Sequence, residues 1–104
     1  MSDPVQRSET ELMAALEALL FAAAGPVGVP QLAEALGSSN GETEHGLQAL
    51  AGQYAQRGLR LQWHGGRVQL TTAPEMASVV ERFLGLEAMA RLSRAAVETL
   101  AIIA

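Results

Sequence analysis

"GLRLQWHGGRVQLTT", Gly58 to Thr72, is where the hydrophobic period of this chain changes. Leu59, Leu61 and Trp63 alternate with Arg60 and Gln62, and Val68 and Leu70 alternate with Arg67, Gln69 and Thr71. Alternation places one set of side chains on a single face of a strand. Between the two runs, Gly65 and Gly66 can take the positive φ angles of a two-residue turn. The stretch therefore predicts a β-hairpin, and the fold depends on what surrounds it.

Upstream the period is that of helices. Ser8 and Glu11 have the S-x-x-E spacing of a capping box, which starts a first helix running from about Glu9 to Ala24. Leu12, Leu16, Leu19 and Ala23 form its core stripe, Met13, Leu20 and Ala24 widen it, and Phe21 lies further round. That is more apolar arc than one neighbouring surface requires. After Gly25 and Pro26, a short second helix opens with Pro30 near its first position and closes at Gly37. Ser39 and Glu42 repeat the capping spacing, and Leu47, Leu50, Ala51 and Tyr54 mark a third helix. Gly46 and Gly52 weaken that helix by about 1 kcal/mol each relative to alanine. Helix, short helix, turn, helix and two-stranded hairpin is the order of a winged helix-turn-helix, an α+β and mostly helical fold with a three-helix core and a hairpin wing.

Downstream, Thr72 and Glu75 bracket Pro74 as another capped start, and Met76, Val79, Val80, Phe83 and Leu84 make the stripe of an added fourth helix that Gly85 ends. The expected organisation is a flexible tail over 1–7, a winged-helix domain over 8–84 and a linker over 85–91. Ser93 then caps a further helix, with Leu92 and Val97 spaced as a hydrophobic staple. Leu100, Ala101, Ile102, Ile103 and Ala104 are apolar on every side, so this helix must be enclosed by more protein. The first domain or a second copy of it would serve, but the preferred reading is that 92–104 is the first helix of a truncated second domain, the helix that carries Val97, Leu100, Ile102 and Ile103.

Composition narrows the function classes. With 104 residues, 49% of them apolar and 17% charged, the chain suits one domain with a real core and no large disordered part. The absence of cysteine removes disulfides, thiolate nucleophiles and cysteine-ligated zinc together. All basic residues are arginines (Arg7, Arg57, Arg60, Arg67, Arg82, Arg91 and Arg94), they form no run, and the formal charge is −4. Asp3, Glu9 and Glu11 ahead of the first apolar run, and Glu17 within it, argue against a secretory signal, and no run reaches the ~18 residues of a membrane span.

Three segments carry a resemblance. "EALLFAAAGPV" (Glu17 to Val27), "GLRLQWHGGRVQLTT" (Gly58 to Thr72) and above all "RLSRAAVETLAIIA" (Arg91 to Ala104) resemble the bacterial segregation and condensation protein B family, ScpB. The likeness extends over nearly the whole chain and implies two successive winged-helix domains, the last motif beginning the second. It further implies a non-enzymatic, cytoplasmic, nucleoid-associated subunit of the SMC condensin complex, homodimeric through its N-terminal domain and acting with the kleisin ScpA in chromosome segregation. Trp63 and His64 depart from the small or aliphatic residues expected at that wing tip.

A winged helix also invites a DNA-reading alternative, a transcription regulator with its third helix in the major groove. The outward residues of that helix include Glu42, Glu44, Gln48, Gln53 and Gln56, with Arg57 as the one cation, so direct DNA binding is disfavoured. On the hairpin, Arg60 and Arg67 are the cations placed to touch phosphates. His45 and His64 have no metal-ligand spacing, and no phosphate loop or nucleophile elbow occurs, so no catalytic residue, metal or cofactor is expected. Leu12, Leu16, Leu19, Leu47, Leu50 and Val79 are assigned to the core. The surplus apolar residues Met13, Leu20, Phe21, Val80 and Phe83 are the protein-interface candidates.

Overall fold

The computed structural model describes residues 7–103, with side chains described for 7–94. The elements in chain order are α1 (Glu9–Ala22), β1 (Val27–Gly28), α2 (Val29–Leu36), α3 (Asn40–Gln53), β2 (Leu59–His64), β3 (Arg67–Thr72), a 3-10 turn (Pro74–Met76) and α4 (Ala77–Ile103). Helices and hairpin follow the order expected of a winged helix-turn-helix, and the fold is α+β. The chain divides into two compact units after Ala73.

Local chemistry sets the helix ends of the first unit. Ser8 Oγ accepts from Glu11 N at 3.1 Å while Glu11 Oε1 accepts from Ser8 N at 2.9 Å, completing the box that starts α1. Ser39 and Glu42 repeat it at α3, with Glu42 N donating to Ser39 Oγ at 3.1 Å. At the start of α2, where Gly28 has no side chain to cap, Gln31 Oε1 accepts from Gly28 N at 3.0 Å. The same helix ends on Gly37 at φ 67°, a left-handed conformation that glycine adopts without a Cβ penalty, and Ser38 N returns to Ala33 O at 3.0 Å.

Two arginines complete helix C-termini. Arg7, expected within the loose tail, donates from Nη1 to Leu36 O at 2.7 Å, where the carbonyls of α2 have no further helical partner. The remainder of the expected tail, residues 1–6, lies outside the described residues. Arg60 donates from Nη1 to Tyr54 O at 2.9 Å and Arg57 O at 2.7 Å, and from Nη2 to Ala55 O at 3.3 Å, tying β2 to the end of α3.

The wing differs from expectation by one strand. Val27–Gly28 pairs antiparallel with Val68 and Arg67, giving a three-stranded sheet in the order β1-β3-β2 instead of a two-stranded hairpin. A two-residue strand between Pro26 and α2 is too short to show alternation. The hairpin register sets Leu61 against Leu70 and Trp63 against Val68, and of the two turn glycines only Gly65 lies at positive φ, 50°.

Leu16, Leu20, Val29, Leu32, Leu36, Leu47, Leu50, Tyr54 and Val68 form the core, with Leu12, Met13, Leu19, Leu59, Leu61 and Leu70 half-buried against it. Thr43 is fully buried and satisfied, its Oγ1 donating to Ser39 O at 2.8 Å. Gly46 lies under α1, a place where its missing side chain is what lets the helices meet.

In the second unit α4 runs without interruption from Ala77 to Ile103, so 85–91 is helix and not an irregular linker. Gly85 costs about 1 kcal/mol in a helix interior, but it is followed by Leu86, Glu87, Ala88, Met89, Ala90 and Arg91, all strong helix formers. Ser93, expected to cap a new helix, is therefore an interior residue of α4, with Leu92 before it exposed. At the other end, Thr72 closes β3 and the helix starts from the 3-10 turn instead of directly behind a Thr72 cap. Val79, expected in the core, is 65% exposed, and among the described residues every buried apolar one precedes Pro74. The side chains of Val97, Leu100, Ile102 and Ile103 lie outside the described set.

Candidate protein-interaction surface

The apolar arc of α1 divides sharply between adjacent residues. Leu20 is 4% exposed and belongs to the core, so this interface candidate has no free surface to offer. Phe21, one position and about 100° further round the helix, is 82% exposed. Met13 is half-buried against the core and borders a second groove that Tyr54 and Leu50 also line.

Phe21 does not stand alone. With Ala14, Glu17 and Ala18 it forms one face of α1, at the i, i+3, i+4, i+7 spacing, and Leu59 and Leu70 of the sheet close the other wall of a groove of about 280 Å³. Ala14 and Ala18 keep the floor low. A large exposed aromatic beside a shallow apolar groove is a surface whose burial by another protein is favourable at roughly 25 cal/mol per Å² of apolar area. Leu59 and Leu70 were legible only as strand residues, and Ala14 and Ala18 only as helix formers. The signal available for the pair was their spacing behind Phe21.

Beside this groove Tyr54 O–H donates to Glu17 Oε2. Burial of the phenol, followed by that hydrogen bond and by the charge of Glu17, raises its pKa well above the ordinary value of 10.0. The neutral phenol thus remains the donor that holds the Glu17 carboxylate on the rim.

On α4, described by itself, Val80 is half-buried while Phe83, Leu84, Leu86, Met89 and Leu92 are more than half exposed. The two hairpin arginines differ, Arg67 being exposed and Arg60 half-buried. Arg60, expected there as a free cation, has its guanidinium committed to the carbonyls at the end of α3, so the wing does not present it. His45 Nε2 is 3.2 Å from Glu9 Oε2, an exposed pair joining α3 to α1. Among the described residues no three His, Asp or Glu side chains gather as a metal site, and no helix is long and apolar enough to cross a membrane.

The family model for the segregation and condensation complex subunit ScpB matches residues 14–104. Segregation and condensation protein B of Moorella thermoacetica is 50% identical over 95 residues, which cover 89% of this chain and 48% of that protein. Its counterpart in Syntrophotalea carbinolica is 47% identical over 96 residues, covering 90% and 48%. The crystal structure of ScpB from Mycobacterium tuberculosis superposes with a TM-score of 0.77 at 31% identity, over 96% of this chain and 64% of that one. A crystallised dimer of an ScpB N-terminal domain complexed with an ScpA peptide superposes with a TM-score of 0.63 at 32% identity, over 68% of this chain and 91% of that one. The chain spans about half the length of the curated relatives it matches.

Proposed function

This chain belongs to the ScpB family of segregation and condensation complex subunits, and on that premise we propose that it is a non-enzymatic, dimeric adaptor of the bacterial SMC condensin complex. In this reading it acts with the kleisin ScpA in chromosome condensation and segregation, in the cytoplasm at the nucleoid. The observation that carries the proposal is Phe21, 82% exposed beside the groove of Ala14, Ala18, Leu59 and Leu70. A symmetric dimer buries such a patch against its own copy, because a two-fold axis presents the same knob and the same groove from both sides. The related N-terminal domain, crystallised as a dimer with an ScpA peptide, supports both the self-association and the partner.

The second unit fits the same role. We assign residues 92–104 to the start of a second winged-helix domain, whose further elements would cover the exposed Phe83, Leu86, Met89 and Leu92. The relatives, about twice as long, support this assignment. Direct reading of DNA is disfavoured by Glu42 and Glu44 on α3 and by the engagement of Arg60.

Replacing Phe21 by Glu tests the surface, since Phe21 carries no core contact whose loss would unfold the domain. Light scattering is expected to show a dimer for the parent chain and a monomer for Phe21→Glu. A variant that remains dimeric would remove this surface from the proposal while leaving the family assignment intact.

A further inference from the structure

Another groove of the first unit lies between α3 and β2, with a volume of about 590 Å³. Gly41, Glu44, His45 and Gln48 line it from one face of α3, and Trp63 lines it from the strand. Trp63 faces Val68 across the hairpin, and Val68 is fully buried while Trp63 remains 43% exposed. The indole is thus partly exposed, and it opens to the groove. His45 is turned to Glu9. The Glu44 carboxylate makes no hydrogen bond or ion pair among the described residues, and no arginine lines the groove.

An aromatic face, an uncompensated carboxylate and the side-chain amide of Gln48 form a set with one chemical complement. A guanidinium is drawn to the negative face of an indole, pairs with a carboxylate through two parallel N–H bonds, and has further donors for an amide oxygen. A phosphate would find neutral donors on Gln48 and Trp63 but would be repelled by Glu44, with no arginine in the lining to offset that repulsion. In a DNA-reading winged helix this face of the third helix enters the major groove, so its charge here has the opposite sense to that task. We propose that the α3–β2 groove docks an arginine-bearing basic segment of a partner polypeptide, its guanidinium laid on Trp63 and paired with Glu44. The groove shares no lining residue with the Phe21 surface, and the assignment stands whether or not the chain dimerises there.

Trp63 is the only tryptophan of the chain, so its fluorescence reports on this groove alone. The probe is an acetylated, amidated tetra-arginine peptide titrated at low ionic strength, with tetra-lysine, tetra-glutamate and a short DNA duplex as comparisons. The expected result is a saturable change with tetra-arginine, a weaker one with tetra-lysine and none with tetra-glutamate or duplex. Glu44→Gln, an exposed substitution checked for folding by circular dichroism, is expected to weaken tetra-arginine about fivefold, the loss of one partly exposed ion pair. Glu81→Gln removes the same charge at a residue that does not line the groove and is expected to leave the titration unchanged. The proposal is overturned by no saturable change at millimolar peptide, by equal binding of parent and Glu44→Gln, by an equal loss in Glu81→Gln, or by duplex perturbing Trp63 where tetra-arginine does not.

Discussion

Gly46 of α3 meets Leu12 of α1 so closely that a β-carbon on the glycine would stand 2.7 Å from Leu12 Cδ2, and 2.8 Å from Leu16 Cδ1. Leu16 is fully buried and has nowhere to move. Gly46→Ala gains about 1 kcal/mol of helix propensity but overpacks the helix contact at about 1–3 kcal/mol, so the net expectation is destabilisation. Gly52, where an added β-carbon would meet nothing within 4 Å, is the control, and Gly52→Ala is expected to stabilise by about 0.5–1 kcal/mol. Urea denaturation of the two variants measures both signs.

Arg60 holds the end of α3 through charge-assisted hydrogen bonds to Tyr54, Ala55 and Arg57 carbonyls. Discounted for its partial exposure, the loss on Arg60→Ala is about 1–2 kcal/mol, whereas the exposed Arg67→Ala should stay within about 0.5 kcal/mol of the parent. Arg60→Lys should recover only part, since one ammonium cannot reach carbonyls that a planar fork spans. Thermal unfolding midpoints of the three variants check the order.

Tyr54 is the sole tyrosine, so alkaline absorbance near 295 nm follows one phenol. Its midpoint is expected well above 10.0, burial being the first cause and Glu17 the second. Glu17→Gln should lower the midpoint only partway, because burial remains. The sign for stability follows from an acid whose pKa is raised by folding. Its contribution is whole below the unfolded value near 10.0 and is lost as pH rises from there through the folded value, so unfolding should ease in strong alkali.

Glu11 behaves in the opposite sense. Its hydrogen bonds from the Ser8 backbone and hydroxyl lower its pKa beneath the ordinary 4.5. The stabilisation is present above 4.5 and disappears as pH falls through the lower folded value. Carboxyl NMR shifts during an acid titration should show the depressed value, and Ser8→Ala should return it toward 4.5.

Much of this fold was legible in the sequence because its signals are local. Ser8 with Glu11, Ser39 with Glu42, Gly37 and the Gly65 turn each satisfy a nearby backbone need, and each occurs where the spacing places it. What escaped depends on the third dimension. A widened apolar arc reveals surplus surface without saying which side of Leu20 or Phe21 faces inward. Gly46 reads as a weakness in α3 and is a contact, and Arg60 reads as a wing cation and is a cap. The break expected at Gly85 fails for a different reason, since one unfavourable residue is outweighed by the helix formers that follow it.

Sedimentation of the parent chain over a micromolar concentration range tests the adaptor reading most directly, because everything proposed for Phe21 requires a partner on that face. The reading predicts a single species of twice the 10.9 kDa chain mass, unchanged on dilution within that range. A species of 10.9 kDa at every concentration would contradict it.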